Sequence, residues 1–390
     1  GVSIVIRSED QTKIDVCNSQ ILKFVNNISS LDKQDFDNLT ANIKSPFMSY
    51  DFLSSLELSK CVAKTTGWEP NHLSSYKKNK LDGFMPLYLK NNSHGEFVFD
   101  HSWSYALNRA GRKYYPKLLS AIPFTPCKSK KIIGNKMSHL FFNEVIDYMN
   151  KKNIESWHIL FPDNDLADDL KKNNFIERNG YKFIWKNKNY SCFDDYLSIF
   201  KSRQRKNIRS ERKKISDLKI NFDIKDFKNL TDDDWDEFYV FYTNTYEQRL
   251  QRPYLNREFF RMIHERRDSI RPIIFFAKID QENIAGSLCF HGGDTLYGRH
   301  WGAKYNIDSL HFECCYYQGI DYCIKNKITS FDPGVQGEHK IRRGFEPEKT
   351  SSYHYIKEKD FYKAIKEFCL KEKNEIDIYV EACKKYMPFK

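Results

Sequence analysis

The chain has 390 residues, of which 40% are hydrophobic and 15% aromatic, and it carries a formal charge of +11. That length is too great for one small core and predicts two domains, and the apolar content excludes a disordered chain. No apolar run approaches the roughly 20 residues of a spanning helix, and the N-terminus shows no signal-peptide core, so a cytoplasmic protein is expected. The chain opens on Gly1 rather than Met, which reads as a trimmed start. Ten cysteines lie in no Cys-x-x-Cys pair, so free thiols in a reducing compartment are expected and no metal site. The positive charge points to an anionic partner, or to a lysine-rich composition, because the lysines are spread along the whole chain.

Residues 2–16 alternate apolar and polar and read as one or two strands. Residues 21–28 read as a short helix. Ser49 is placed to cap a helix carrying Phe52, Leu53, Leu56 and Leu58. Strands are expected over 72–76, 83–89 and 97–103. Pro123 and Pro126 exclude a central strand between them. An amphipathic helix over 138–151, a strand over 156–161, a helix over 165–172 and a strand over 181–185 follow.

The stretch 193–214 changes character. Its first half is an amphipathic helix; its second half carries Lys201, Arg203, Arg205, Lys206, Arg209, Arg212, Lys213 and Lys214 against Glu211 alone. Arg205, Arg209 and Arg212 share one helical stripe, suited to a phosphate backbone or to solvent. A domain boundary is expected just before it, dividing 1–190 from 191–390. The second half reads strand 220–226, helices 232–249 and 256–267, and a hairpin of 273–279 with 283–291. A strand over 295–302, a helix over 309–326, strands over 328–331 and 351–357 and a closing helix over 360–385 complete it.

The stretch FDPGVQGEHKIRRGF, residues 331–345, is the richest in chemistry. A strand runs into Asp332-Pro333-Gly334, where the backbone must turn. Gln336, Gly337, Glu338, His339 and Lys340 follow, then Arg342, Arg343 and Gly344. Glu338 and His339 supply a proton acceptor, and Lys340 and Arg343 supply fixed positive charge for a phosphate or carboxylate. A solvated surface turn is the competing reading.

The two halves can be laid over each other. The helix over 138–151 corresponds to that over 309–326, and the strand before Pro162-Asp163 to the strand before Pro333. Asp100-His101-Ser102-Trp103 falls opposite Arg299-His300-Trp301-Gly302.

This element order resembles the GNAT acyltransferase fold, and its duplication resembles the FemAB-like branch. The segments SPFMSYDFLSSLE, GWEP, GEFVFDHSW, GDTLYGRHWG, HFECCYYQ and GEHK together resemble the FemAB-like predicted N-acyltransferases, labelled peptidoglycan biosynthesis/recognition. The resemblance covers the chain from about Ser45 onward. It implies an α/β (α+β) fold of tandem duplicated GNAT-like domains, each a mixed, mostly antiparallel sheet flanked by helices. It implies transfer of an acyl or aminoacyl group to the amine of a small molecule or peptide. The implied co-substrate is acyl-CoA or aminoacyl-tRNA, with no tightly bound cofactor. One departure stands out: the Gly-rich pyrophosphate loop of ordinary GNAT enzymes is replaced by Lys304-Tyr305-Asn306-Ile307-Asp308-Ser309-Leu310, without glycine. That gap and the basic helix lean toward tRNA.

Acyl transfer to an amine needs a base, oxyanion donors and a grip on the donor. On the resemblance, Glu338, His339, His311, Glu313 and His300 are the catalytic candidates. Arg299, Tyr316, Gln336, Gly337, Lys340, Arg343, Arg205, Lys206 and Arg209 are the binding candidates. A non-catalytic module recognising a peptide, a cell-wall precursor or RNA on the same fold is the alternative.

Overall fold

The computed structural model describes residues 20–134, 138–335 and 337–390. The alternating segment 2–16 and Gln336 lie outside the described residues. The strands are β1 (Gln20–Val25), β2 (Trp68–Pro70), β3 (His72–Lys77), β4 (Lys80–Met85), β5 (Tyr88–Lys90), β6 (Lys117–Ser120), β7 (Ile133–Gly134) and β8 (Ser156–Leu160). After them come β9 (Ile176–Lys186), β10 (Ile220–Asp226), β11 (Pro272–Ile279), β12 (Glu282–Gly292), β13 (Thr295–Ala303), β14 (Ser330–Asp332) and β15 (Glu346–Ile356).

The chain forms two compact units. One holds the described residues up to Ile43, Phe47–Gly180 and Thr350–Glu375; the other holds Lys44–Pro46, Tyr181–Lys349 and Ile376–Lys390. The expected boundary at 190/191 is a single cut. The observed division instead falls inside β9 and again inside β15, so each unit takes part of both strands.

In the first unit β1, β3, β4 and β7 form an antiparallel sheet, and β15, β8, β6, β5 and β2 lie in that order in a second. β6 and β8 are parallel, with Leu118 opposite Trp157. A parallel pair needs a crossover, and the helix Ser138–Lys152 lies in the connection. Its Phe141, Phe142, Val145 and Met149 pack against Trp157 and Ile159. The second unit is a meander, β10 to β13, followed by β14 and β9. β13 and β14 are again parallel, with Leu296 opposite Phe331. Their crossover is the helical stretch Leu310–Lys325, whose middle, Glu313–Tyr317, is a π-helix. Gly319 lets this stretch press onto β14, since a Cβ there would stand 2.5 Å from the Phe331 ring. The repeated strand–helix–parallel strand unit is the physical content of the duplication, and the fold is mixed α/β with mostly antiparallel sheets.

Three expectations are corrected. Residues 21–28 are not a helix: Gln20 to Val25 pair in unbroken register with Lys77 to His72, and sheet pairing overrides the local pattern. Residues 97–103 are not a strand; the helix His101–Arg109 starts there. Asp100 stands before it, its carboxylate held by Tyr114 Oη at 2.5 Å and by the Lys117 ammonium. The match of Asp100–Trp103 to β13 therefore fails, although the crossover match holds. The stretch 193–214 is two helices, Phe193–Ser198 and Ser202–Asp217. The break is pinned by Lys201 N–H donating to Pro388 O at 2.8 Å and by a bridge between Phe200 and Phe389.

Candidate active site

The site is built in the second unit around the end of β14. Asp332 closes that strand with a buried carboxylate. Lys182 Nζ from β9 lies 3.2 Å away, Arg299 Nη2 from β13 3.4 Å away, and Gly334 N–H donates at 3.0 Å. The two flanking strands therefore each send a cation to one acid on the strand between them. Although burial opposes it, Arg299 and Lys182 hold the Asp332 carboxyl well below the usual carboxylate range.

The following loop folds around Lys340. Its buried ammonium donates to Gly334 O at 2.8 Å and Val335 O at 3.5 Å. Burial lowers its pKa to about 8, against the opposing pull of Asp332. Gly337 has φ +101, and a Cβ there would stand 2.4 Å from the His339 ring, so this position must be glycine. The short 3-10 helix Glu338–Arg343 then presents His339 and Arg343.

Arg343 is locked in place. Nη1 donates to His339 O at 2.8 Å and Nη2 to Glu211 Oε1 at 2.7 Å, while the guanidinium lies 3.4 Å from the Phe312 ring centroid. Glu211, from the helix Ser202–Asp217, also accepts from Tyr317 Oη. Tyr196 Oη donates to Arg343 O at 2.6 Å.

The crossover helix supplies the opposite wall. Tyr316 Oη and His339 Nε2 are 2.9 Å apart. The His311 ring lies 5.4 Å from Tyr316, 6.3 Å from His339 and 5.3 Å from Trp301. Burial, then Arg343 and Lys340, lower the His339 pKa to about 4; burial, then His339, Lys340 and Arg343, do the same to His311. Both imidazoles are therefore neutral over the physiological range.

His311, Tyr316, Gly337, His339, Lys340 and Arg343 thus come together, with Arg299 behind them through Asp332. Other candidates lie elsewhere. Glu338 is exposed and accepts from Tyr379 Oη of the closing helix Lys359–Lys385 at 2.7 Å. Glu313 is buried in a different network, accepting from Arg212 Nη2 at 3.0 Å and Gln318 Nε2 at 2.7 Å. His300 points to the other face of β13, against the Tyr242 and Phe260 rings, because successive strand residues alternate sides. Arg209 pairs with Asp194 at 3.1 Å, Arg205 reaches Ser198 O at 3.5 Å, and Lys206 is exposed. Arg212, on the same stripe, instead turns inward to Glu313 and Asp321. Gln336 lies outside the described residues.

Asp332, Lys182, Glu211 and Phe312 were missed as site residues. A lysine inside the aromatic run Tyr181-Lys182-Phe183-Ile184-Trp185 was the one local signal, since a buried cation requires an acid partner.

The sequence model of FemAB-like proteins, described as peptidoglycan biosynthesis/recognition, matches residues 27–390. No curated protein sequence matches. Among solved structures, FemX is similar with a TM-score of 0.51 at 12% identity, over 86% of this chain and 98% of that one. The C-terminal domain of a putative lysylphosphatidylglycerol synthetase from Agrobacterium fabrum gives 0.52 at 8% identity, over 87% and 95%. At such identities these likenesses speak for the fold.

Proposed function

Since the chain belongs to the FemAB-like family of peptidoglycan biosynthesis/recognition proteins, we propose that it transfers an acyl or aminoacyl group from an activated ester or thioester to an amine. The observation that carries this reading is the Tyr316–His339 pair, 2.9 Å apart, beside two cationic side chains. The acceptor amine attacks the donor carbonyl; a C–N bond forms and the C–O or C–S bond to the carrier breaks. One proton must leave nitrogen and one must reach the leaving atom. His339 accepts the amine proton at Nδ1 and passes the proton on Nε2 to Tyr316 Oη. The phenol proton goes to the leaving oxygen or sulfur. Such a relay never places a full positive charge on the imidazole, which suits a ring whose protonation Arg343 and Lys340 oppose. The same cations favour the negative charge that develops on the carbonyl oxygen.

For the donor we favour aminoacyl-tRNA. The turn entering the crossover helix has no glycine to bring its backbone against a pyrophosphate, and its Asp308 carboxylate is paired to Lys214 at 2.7 Å. Arg203, Lys206 and Lys213 are exposed cations on the neighbouring helix, suited to a phosphate backbone. The acceptor is an amine on a peptide or cell-wall precursor. The test is amide formation followed by mass spectrometry, with charged tRNA and acyl-CoA offered separately to the wild-type chain and to His339→Gln. Product from charged tRNA, lost in the variant, supports the reading. Product from acyl-CoA alone overturns the donor assignment. Binding without product from either donor overturns the enzyme reading in favour of a recognition module.

A further inference from the structure

The first unit holds a cavity of about 520 Å3 that the transfer chemistry does not use. Its lining includes Glu57 at the end of the helix Tyr50–Leu58, Lys60 and Lys64 just beyond it, and Glu69 and Asn71 around the end of β2. Glu57 is only 7% exposed, and a buried carboxylate is normally matched by a cation. Here it accepts from Ile28 N–H at 2.7 Å and from His72 Nε2 at 2.7 Å. His72 Nδ1 is occupied by Leu87 N–H at 3.2 Å, so the ring offers one proton to Glu57 and solvates the carboxylate without cancelling its charge. Among the described residues no lysine or arginine pairs with Glu57.

The other charges in the lining are unevenly spent. Lys64 and Glu69 face each other at 3.6 Å. Lys60, in a left-handed turn at φ +63, has no carboxylate partner among the described residues. Asn71 Nδ2 is buried without an acceptor in hydrogen-bonding geometry, although the Tyr148 hydroxyl lies near enough to interact with it. The cavity therefore presents a buried anion without a cationic partner and a cation without a carboxylate partner among the described residues. Its volume lies in the range that holds small ligands.

We propose that this cavity binds a small zwitterion, an amino acid or dipeptide, with its ammonium on Glu57 and its carboxylate on Lys60. The ligand supplies the cation that the buried acid lacks and the anion that Lys60 lacks, and a neutral or singly charged molecule supplies at most one of them. The site is distinct from the residues gathered around His339, and binding at it does not depend on the transfer reading.

The test is calorimetric titration of the full chain with L-alanyl-L-alanine, with its N-acetyl form and with its C-terminal amide. The free dipeptide is expected to bind at least tenfold more tightly than either blocked form. Lys60→Glu is expected to weaken the free dipeptide at least tenfold; because Lys60 is exposed, this variant keeps the fold. Glu57→Gln is expected to abolish binding, with its circular dichroism spectrum checked against the wild type. Equal binding of all three ligands, no heat up to about 10 mM dipeptide, or indifference to Lys60→Glu overturns the proposal. The readout is heat of binding, so a failed transfer assay leaves it standing and its failure leaves the transfer reading standing.

Discussion

Asp332 holds two buried cations, Lys182 and Arg299, with side-chain exposures of 7% and 4%. Replacing it by Asn leaves both charges buried and removes their common partner. Breaking a buried ion pair from one side costs about 3–5 kcal/mol, so Asp332→Asn is expected to lower stability on that order, read by urea denaturation. A change within ordinary surface scatter would show that the cations find other partners. At the reacting pair, Tyr316→Phe keeps the ring and removes the proton carrier, and a transfer-rate loss of about 10²-fold is expected. The pH profile is the sharper check. His339 ionises near pH 4, so the rate should show no inflection near 6.5. The acid limb should follow the acceptor amine and move when a less basic amine is used. A limb fixed near 6.5 for both amines would assign the proton to an ordinary imidazolium base instead. His339, Lys340 and Arg343 were legible in the sequence because they form one polar run after a strand. Asp332 lies in that run, but its partners sit 150 and 33 residues away, and only the strand order brings them to it.

The crossover in the second unit shows what periodicity reads and what it misses. The helix over 309–326 was legible from its apolar spacing, but the π-turn Glu313–Tyr317 was not. Cys314, Cys315, Tyr316 and Tyr317 carry no glycine or proline to mark it. Packing is what brackets it: Cys314 Sγ donates to Phe275 O at 3.2 Å, and Tyr317 Oη donates to Glu211. Such insertions recur at functional sites because they re-aim side chains. Here Tyr316 turns to His339 while Glu313 turns to Arg212 and Gln318. The expected consequence is that Glu313→Gln costs about 1–3 kcal/mol of stability through a weakened buried network yet keeps transfer within a few-fold of wild type. A loss as deep as that of His339→Gln would return Glu313 to the chemistry. The strand expected over 97–103 failed for a related reason. Its apolar alternation was real, but Asp100 is consumed by Tyr114 and Lys117, and the chain turns into a helix to deliver it.

Across both units the shifted buried histidines act with one sign. Burial and neighbouring cations lower His158 and His300 to about 3 and His311 and His339 to about 4; His354 lies well below its ordinary value. In the unfolded chain each takes a proton near pH 6.5, whereas in the folded chain each refuses it until far lower. The unfolded state therefore binds more protons between about pH 6.5 and 4, and stability falls as pH drops through that window. Asp100 and Asp332, both depressed, add the same sign below their unfolded value near 3.8. Three of the buried lysines extend the slope upward. Lys90 and Lys131 titrate near 7 and Lys340 near 8, all below the ordinary 10.5, so raising the pH from about 7 toward 10 relieves the cost of burying their charge. Buried tyrosines such as Tyr88, Tyr114 and Tyr196 are pushed up and set the opposite limit, since above about pH 10 only the unfolded chain ionises them. Differential scanning calorimetry from pH 4 to 10 should therefore place maximal stability on the alkaline side of neutrality, with Tm falling continuously from pH 7 to 4.5. Both units carry such groups, His158, His354 and Lys90 in one and His311, His339 and Lys340 in the other, so if they melt separately both transitions should shift. A Tm constant between pH 7 and 5 would mean that these histidines take up protons without cost to the fold, and the neutral relay at His339 would lose its physical basis with them.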